Sequence, residues 1–123
     1  ILRAADSQPE LRVVHDQFGS PTYTLDLAAA IRELVRADAR GILNITNSGA
    51  CSWFEFAKEI LRAAGRNTPV SPITSGETGR PARRPAYSVL SEKASASYGI
   101  TMRTWQEALA AYLVELRRRD KLL

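Results

Sequence analysis

The chain has 123 residues, which is enough for one domain with a hydrophobic core. Its hydrophobic fraction of 45% and charged fraction of 24% are ordinary for globular proteins, and no run approaches the roughly 18 consecutive apolar residues of a membrane span. The net charge is +4. The single cysteine, Cys51, excludes an internal disulfide, so we expect a cytoplasmic protein. Because no apolar run is long enough for a membrane span, we expect no binding to membranes.

The first half of the chain predicts a helix, a strand, a loop, a helix and a second strand. Residues 1–5 have the composition of a helix already under way, so we expect the chain to be a piece of a longer protein. The β-branched run at residues 11–15 predicts the first strand. Apolar residues at helical spacing predict a helix over residues 25–37 with Thr24 as its N-cap, and residues 42–46 predict the second strand.

The second half predicts three further helices and an edge strand. Ser52 and Glu55 form a capping-box pattern before an apolar stripe that Gly65 ends. Residues 70–73 predict a short edge strand because they contain a proline. A loop over residues 74–86 follows, and a structureless loop of that length is usually functional or disordered. We predict a short helix over residues 92–98, and a second capping box then opens the last helix at residue 104.

Two polar segments are candidates for a binding site, and the first lies between residues 16 and 22. Gln17 carries an amide that suits a sugar hydroxyl or a base edge, Gly19 permits close backbone approach, and Thr22 can bond the backbone or a ligand. The alternative is a turn whose side chains cap the following helix, and from the residues alone that alternative is favoured.

The second segment is Arg83-Arg84-Pro85. Arginine presents a planar fork of donors that binds phosphate oxygens two at a time and stays charged at any working pH. Pro85 restricts Arg84 to extended backbone, which pre-organises its side chain. A solvated loop without a ligand is the alternative, and the residues leave the two evenly balanced.

The sequence shows no catalytic machinery of its own. His15 is the only histidine, so triads and zinc clusters that need partner histidines or cysteines are absent. Cys51 precedes a helix cap, where a depressed thiol pKa is one reading and an inert thiol the favoured one. There is no Gly-x-Gly-x-x-Gly, and no tyrosine has a lysine four residues later. Residues 117–119 are three arginines, which we interpret as cations at a helix C-terminus.

In this order, the two polar segments resemble the C-terminal part of the dTDP-4-dehydrorhamnose reductases, a family of extended short-chain dehydrogenases. The matching blocks are Asp-Gln-x-Gly-x-Pro-Thr at residues 16–22, Cys-Ser-Trp-Phe-Glu-Phe-Ala at residues 51–57 and Arg-Arg-Pro at residues 83–85. The chain departs from the family at Asn44, often histidine there, and at Tyr87, often asparagine there. The difference at Tyr87 leaves open which contacts the neighbouring Ser88 makes with the sugar or the base of a ligand.

The resemblance implies an α/β fold, namely the substrate-binding portion of an incomplete Rossmann-type fold with a small mixed α/β lobe. It implies that residues 1–123 form one piece that binds a nucleotide sugar and that residues 25–46 contribute to the cofactor lobe of the whole enzyme. The implied substrate-binding residues are Gln17, Phe18, Thr22, Arg83, Arg84 and Ser88. No catalytic, cofactor-binding or metal-binding residue is implied within the chain.

For the whole enzyme, the resemblance implies reduction of the 4-keto group of dTDP-6-deoxy-L-lyxo-4-hexulose by NADPH or NADH, which gives dTDP-L-rhamnose for surface polysaccharide. The cofactor and the catalytic Tyr/Lys pair are expected in a missing N-terminal half. We therefore expect the chain alone to be inactive, and to associate with itself, as in a homodimer, or with that half.

Three other readings stay open. The first is another extended short-chain reductase or an epimerase of a different nucleotide sugar. The second is a non-catalytic regulatory relative that lost the Tyr/Lys pair. The third, a basic nucleic-acid-binding domain, is the weakest, because no aromatic residues interleave with the arginines and no recognition motif is present.

Overall fold

The computed structural model describes residues 1–79 and 81–120 of the chain. They form two compact units, of which the first comprises the described residues within 1–19 and 51–88 and the second those within 20–50 and 89–120. The mixed α/β architecture confirms the predicted fold class. Within the described residues, no helix has the length and apolar character needed to cross a membrane.

The first unit is built on two small two-stranded sheets. Strand β1 (Leu11–Val14) pairs in parallel with β4 (Val70–Ile73), with Leu11 opposite Val70 and Val14 opposite Ile73. Strand β2 (Phe18–Gly19) pairs antiparallel with β3 (Cys51–Ser52). Helix α1 (Leu2–Ser7) precedes β1, which confirms the predicted helix at the start of the chain.

Helix α3 (Trp53–Ala64) contacts both β1 and β4 and supplies much of the first unit's core. It begins at the predicted capping box, because the Ser52 hydroxyl accepts from the Glu55 N–H at 3.2 Å and the Glu55 carboxylate accepts from the Ser52 N–H at 2.7 Å. It ends at Gly65, whose φ of 69° lies in the left-handed region that favours glycine. The buried apolar residues of the unit are Leu11, Cys51, Ala57 and Leu61.

The second unit contains helix α2 (Thr24–Arg36), the one-turn helix α4 (Lys93–Ala96) and helix α5 (Trp105–Asp120). Its apolar core comprises Ala30, Leu34, Trp105, Ala108, Leu109 and Leu113. Helix α5 begins at the predicted capping box, with the Thr104 N–H donating to the Glu107 carboxylate at 2.8 Å. The last turn of α5 carries the three predicted arginines at residues 117–119.

Four sequence-based predictions of local structure are wrong in detail. Residues 42–46 form no strand, because no partner strand within the described residues pairs with them. Thr24 is the first residue of α2 and not its cap, since Tyr23 occupies the N-cap without a side-chain bond. The helix predicted over residues 92–98 is limited to α4. The predicted loop at residues 74–86 contains a 3₁₀ turn, Ser75–Thr78.

Candidate functional site

A cleft of about 750 Å³ lies in the first unit, where β1 and β4 end. Both strands run in parallel, so their carboxyl ends meet at the same edge of the sheet. The His15 N–H donates to the Ile73 carbonyl at 3.0 Å and continues the pairing beyond β1. The cleft is lined by Asp16, Gln17, Ser75, Gly76, Thr78 and residues 81–86.

The inner wall of the cleft is a hydrogen-bonded group of three side chains. The Asp16 carboxylate accepts from the Ser75 N–H at 2.9 and 3.0 Å and from the Ser75 hydroxyl at 2.7 Å. The amide of Gln17, itself buried, donates to the Ser75 hydroxyl at 2.8 Å. The hydrogen bonds from the Ser75 backbone and side chain lower the pKa of Asp16 below its usual value. Asp16 is therefore an ionised acceptor at neutral pH.

A compact turn forms the next part of the wall. The Thr74 N–H and hydroxyl donate to the Glu77 carboxylate at 2.7 and 2.9 Å, which is a capping-box arrangement at the start of the 3₁₀ turn. These two bonds are the main reason that the pKa of Glu77 is lowered. Glu77 also forms an exposed ion pair with Arg12 at 3.4 Å. Gly79 closes the turn with a φ of 61°.

The opposite wall is the arginine loop, which we define as residues 81–85. Arg83 and Arg84 are exposed, and neither forms an ion pair with a carboxylate of the described residues. Guanidinium groups that have no carboxylate partner within the described part of the chain can donate to a phosphate group. The chemistry of the cleft is therefore suited to an anionic ligand with polar hydroxyls.

The structure brings three of the predicted binding residues to one cleft, namely Gln17, Arg83 and Arg84. Phe18 and Ser88 are bonded to each other in the same unit, because the Ser88 N–H and hydroxyl both donate to the Phe18 carbonyl at 2.9 Å. A Cβ added to Gly19 would meet the Ser88 hydroxyl at 3.3 Å, so the close approach expected at this glycine is made by protein.

Thr22, the sixth predicted residue, belongs to the second unit. Its hydroxyl donates to the Ser20 carbonyl at 3.0 Å and accepts from the Asn47 N–H at 3.3 Å. In this structure Thr22 therefore bonds the protein backbone, and its contact with a ligand stays a prediction.

Sequence reasoning missed Asp16 and Ser75 as members of the site. Asp16 stands next to Gln17 directly after a predicted strand, which was an available signal. Ser75 carried no such signal, because its importance comes from the parallel pairing of β1 with β4. Both residues take part in the hydrogen bonds of the cleft's inner wall.

The remaining candidate for chemistry is Cys51, which the structure buries in β3. Burial, followed by the nearby Glu55 carboxylate, raises the pKa of its thiol to about 11. An inert thiol is therefore the reading that the structure favours. Within residues 1–79 and 81–120, no three His, Cys, Asp or Glu side chains are grouped so that they could hold a metal ion.

Comparison with known families gives a match along almost the whole chain. The family model described as the RmlD substrate binding domain matches residues 1–118. The chain is 49% identical, over 94% of its length, to the spore coat polysaccharide biosynthesis protein SpsK of Bacillus subtilis. It is 43% identical, over 87% of its length, to the dTDP-4-dehydrorhamnose reductase of Mycolicibacterium smegmatis. It covers 40% and 34% of these two proteins.

A solved structure has the same fold. The crystal structure of dTDP-4-dehydrorhamnose reductase from Bacillus anthracis in complex with NADP superposes with a TM-score of 0.89 at 37% identity. The match covers 93% of this chain and 41% of that protein. The chain thus spans about 40% of the length of the relatives that it matches.

Proposed function

The chain belongs to the family of RmlD substrate-binding domains, and from this premise we propose that its cleft binds the dTDP-sugar substrate of a dTDP-4-dehydrorhamnose reductase. The observation that carries the proposal is the placement of Gln17, Arg83 and Arg84 around one cleft. These residues come from two segments that lie more than sixty positions apart in the sequence.

The arginine loop supplies the charge that a diphosphate needs. In the proposal, Arg84, assisted by Arg83, binds the diphosphate, because both guanidinium groups are free of carboxylate partners among the described residues. Gln17 lines the same cleft, and we assign Phe18 and Ser88 of the same unit to the sugar–nucleotide part of the ligand. A ligand contact of Thr22 remains a prediction. Because Gln17 already donates to Ser75, its carbonyl oxygen is the atom that we assign to a ligand hydroxyl.

In the whole protein, this binding would support reduction of the 4-keto group of dTDP-6-deoxy-L-lyxo-4-hexulose to give dTDP-L-rhamnose. Interactions with the non-reacting dTDP group would hold the sugar in place for hydride transfer. The NADP in the Bacillus anthracis relative supports NADPH or NADH as the hydride donor. The 123 residues hold no Gly-x-Gly-x-x-Gly turn, so they do not fit a dinucleotide site of the usual kind and we assign cofactor binding to another part of the protein.

We further propose that residues 25–46 contribute to the cofactor lobe of the whole enzyme. Leu25, Ile31 and Val35 on α2 are exposed, and Ile42 is 93% exposed. Apolar side chains in such numbers on one unit favour association with another protein surface. That surface would be the rest of the same enzyme or, in a homodimer, a second copy.

Calorimetric titration of the chain with dTDP tests the binding proposal. Arg84→Ala should weaken binding about tenfold, as expected when a charge-assisted contact to phosphate is lost. The matched control is Arg62→Ala, which removes an exposed arginine of the same unit that is paired with Glu59. Equal affinities of the Arg84→Ala variant and the unaltered chain would contradict the proposal.

A panel of nucleotide sugars tests specificity. dTDP-linked 6-deoxy sugars should bind more tightly than UDP-linked hexoses if the substrate class is as proposed. Incubation of the chain alone with NADPH and the 4-keto sugar should give no turnover, because no Tyr/Lys pair at the required spacing is present. Turnover by the chain alone would overturn the assignment of catalysis to another part of the protein.

A further inference from the structure

Three consecutive residues hold both sides of the segment that contains the arginine loop. Before the loop, Asp16 and Gln17 bond Ser75 through four contacts of 2.7–3.0 Å. After the loop, the Phe18 N–H donates to the Ala86 carbonyl at 2.8 Å, and Ser88 donates twice to the Phe18 carbonyl. Residues 16–18 are therefore hydrogen-bonded to the chain on both sides of the loop, and we call this segment the clasp.

The two sides of this clasp differ in their chemistry. The contacts of Phe18 use its backbone groups, so substitution of its side chain leaves them available. The contacts before the loop use the Asp16 carboxylate and the Gln17 amide. Because hydrogen bonds to an ionised carboxylate are stronger than neutral ones, Asp16 is the main side-chain contribution to the clasp.

Asp16 lines the cleft, but its charge has the wrong sign for a diphosphate contact. Both of its carboxylate oxygens already accept from Ser75. The titratable or charged groups that face it are His15, next to it in sequence, and the two arginines of the opposite wall. These contacts favour a structural action through Ser75 over direct contact with the ligand.

We propose that Asp16 is a positioning residue, which through Ser75 fixes the wall of the cleft and thereby holds the arginine loop in place for an anionic ligand. The proposal deepens the proposed function and depends on it for the identity of that ligand. Fixing the ends of a loop lowers the entropy that the loop loses when a ligand binds. Loss of the Asp16–Ser75 contacts should therefore make the arginine loop less ordered and also weaken ligand binding.

Limited proteolysis with trypsin measures the order of the loop directly. The bond between Arg84 and Pro85 resists trypsin because proline follows the arginine, so the Arg83–Arg84 bond reports on the loop. Cleavage of a native protein follows the population of locally open states. The Arg40–Gly41 bond lies in an exposed loop of the second unit and serves as an internal standard for loop cleavage away from residues 16–18.

In Asp16→Ala, cleavage of the Arg83–Arg84 bond should rise about fivefold relative to the Arg40–Gly41 bond. Asp16→Asn should show a smaller increase, because its amide oxygen can still accept from the Ser75 N–H. The control Asp6→Ala, which removes an exposed carboxylate of the same unit paired with Arg66, should leave the ratio unchanged. If Asp16→Ala does not fold, Ser75→Ala gives a related comparison, since it removes the hydroxyl contacts with Asp16 and Gln17 and leaves the Ser75 N–H bonded to Asp16.

An unchanged cleavage ratio in a folded Asp16 or Ser75 variant would overturn the proposal, as would an equal rise at both bonds. Titration with dTDP separates this outcome from failure of the proposed function. A fivefold loss of dTDP affinity that accompanies the rise in cleavage supports both. A raised cleavage ratio in the variants, with no dTDP binding by the unaltered chain, supports the action of Asp16 on the loop and rejects the dTDP assignment.

Discussion

The side-chain amide of Asn47 donates to the carboxylate of Asp26 at 2.9 Å, although the two residues lie 21 positions apart. Asn47 is fully buried and also accepts from the Tyr23 N–H at 2.7 Å and donates to the Arg103 carbonyl at 3.2 Å. The Asn47 side chain thus joins its own segment to the start of α2 and to the segment that precedes α5. The adjacent backbone is paired directly, because the Ser48 N–H donates to the Arg103 carbonyl at 2.9 Å and the Trp105 N–H to the Ser48 carbonyl at 3.0 Å.

Replacement of Asn47 by alanine should lower the free energy of unfolding by about 2 kcal/mol, because buried backbone and carboxylate groups lose their partners. Asn47→Asp should cost more, since it places a second carboxylate beside Asp26. Urea denaturation followed by circular dichroism measures both values. The exposed Asn67→Ala variant is the control, and a loss at Asn47 no larger than at Asn67 would reject this account.

The ion pair between Asp26 and Arg103 should make the second unit sensitive to acid. The Arg103 guanidinium donates to both Asp26 oxygens at 2.6 and 2.8 Å and, with Asn47, lowers the pKa of Asp26. A carboxyl with a depressed folded-state pKa contributes stability above its unfolded value, and that stability is lost as pH falls through the folded value. The pH range over which this stability is lost thus begins near 3.8, the ordinary pKa of an aspartate, and extends below it.

Unfolding midpoints measured from pH 7 down to pH 2 test whether stability falls with pH in this direction. Asp26→Asn should reduce the drop in stability over the acid range, and Arg103→Ala should produce a similar reduction because it removes the main cause of the shift. A profile for Asp26→Asn that falls as steeply as that of the unaltered chain would be inconsistent with the linkage.

The capping box of α3 predicts a local effect on stability. Ser52→Ala should destabilise the chain by about 1 kcal/mol, since the hydroxyl that accepts from the Glu55 N–H is lost. The control is Ser97→Ala, which removes an exposed hydroxyl bonded to the Ala94 carbonyl just after α4. Thermal unfolding of the two variants should show a larger shift for Ser52, and equal shifts would count against the cap.

The thiol of Cys51 should react slowly in the folded chain. Burial and a pKa raised to about 11 leave little accessible thiolate at pH 8. Reaction with a chromogenic disulfide reagent should therefore be slow in buffer and fast in urea. A native rate equal to that in urea would show that the thiol is open to solvent.

The local features of this fold could be predicted from the sequence because they depend on neighbouring residues. The capping boxes at Ser52 and Thr104 each join residues three positions apart, and the apolar spacing of α2 and α3 specifies which face is buried. The motifs at residues 16–22 and 83–85 likewise resemble one family on sequence alone, and the family match over residues 1–118 confirms that resemblance.

Tertiary structure decided the features that depend on distant partners. Residues 42–46 have the composition of a strand, but a strand requires a partner for its backbone groups, and none pairs with them within the described residues. The contacts of Asp16 with Ser75 exist because β1 and β4 pair in parallel, which brings residues 59 positions apart to one edge. Sequence therefore determined the helices and the two segments that we propose bind the ligand, whereas strand pairing determined how the wall of the cleft is held.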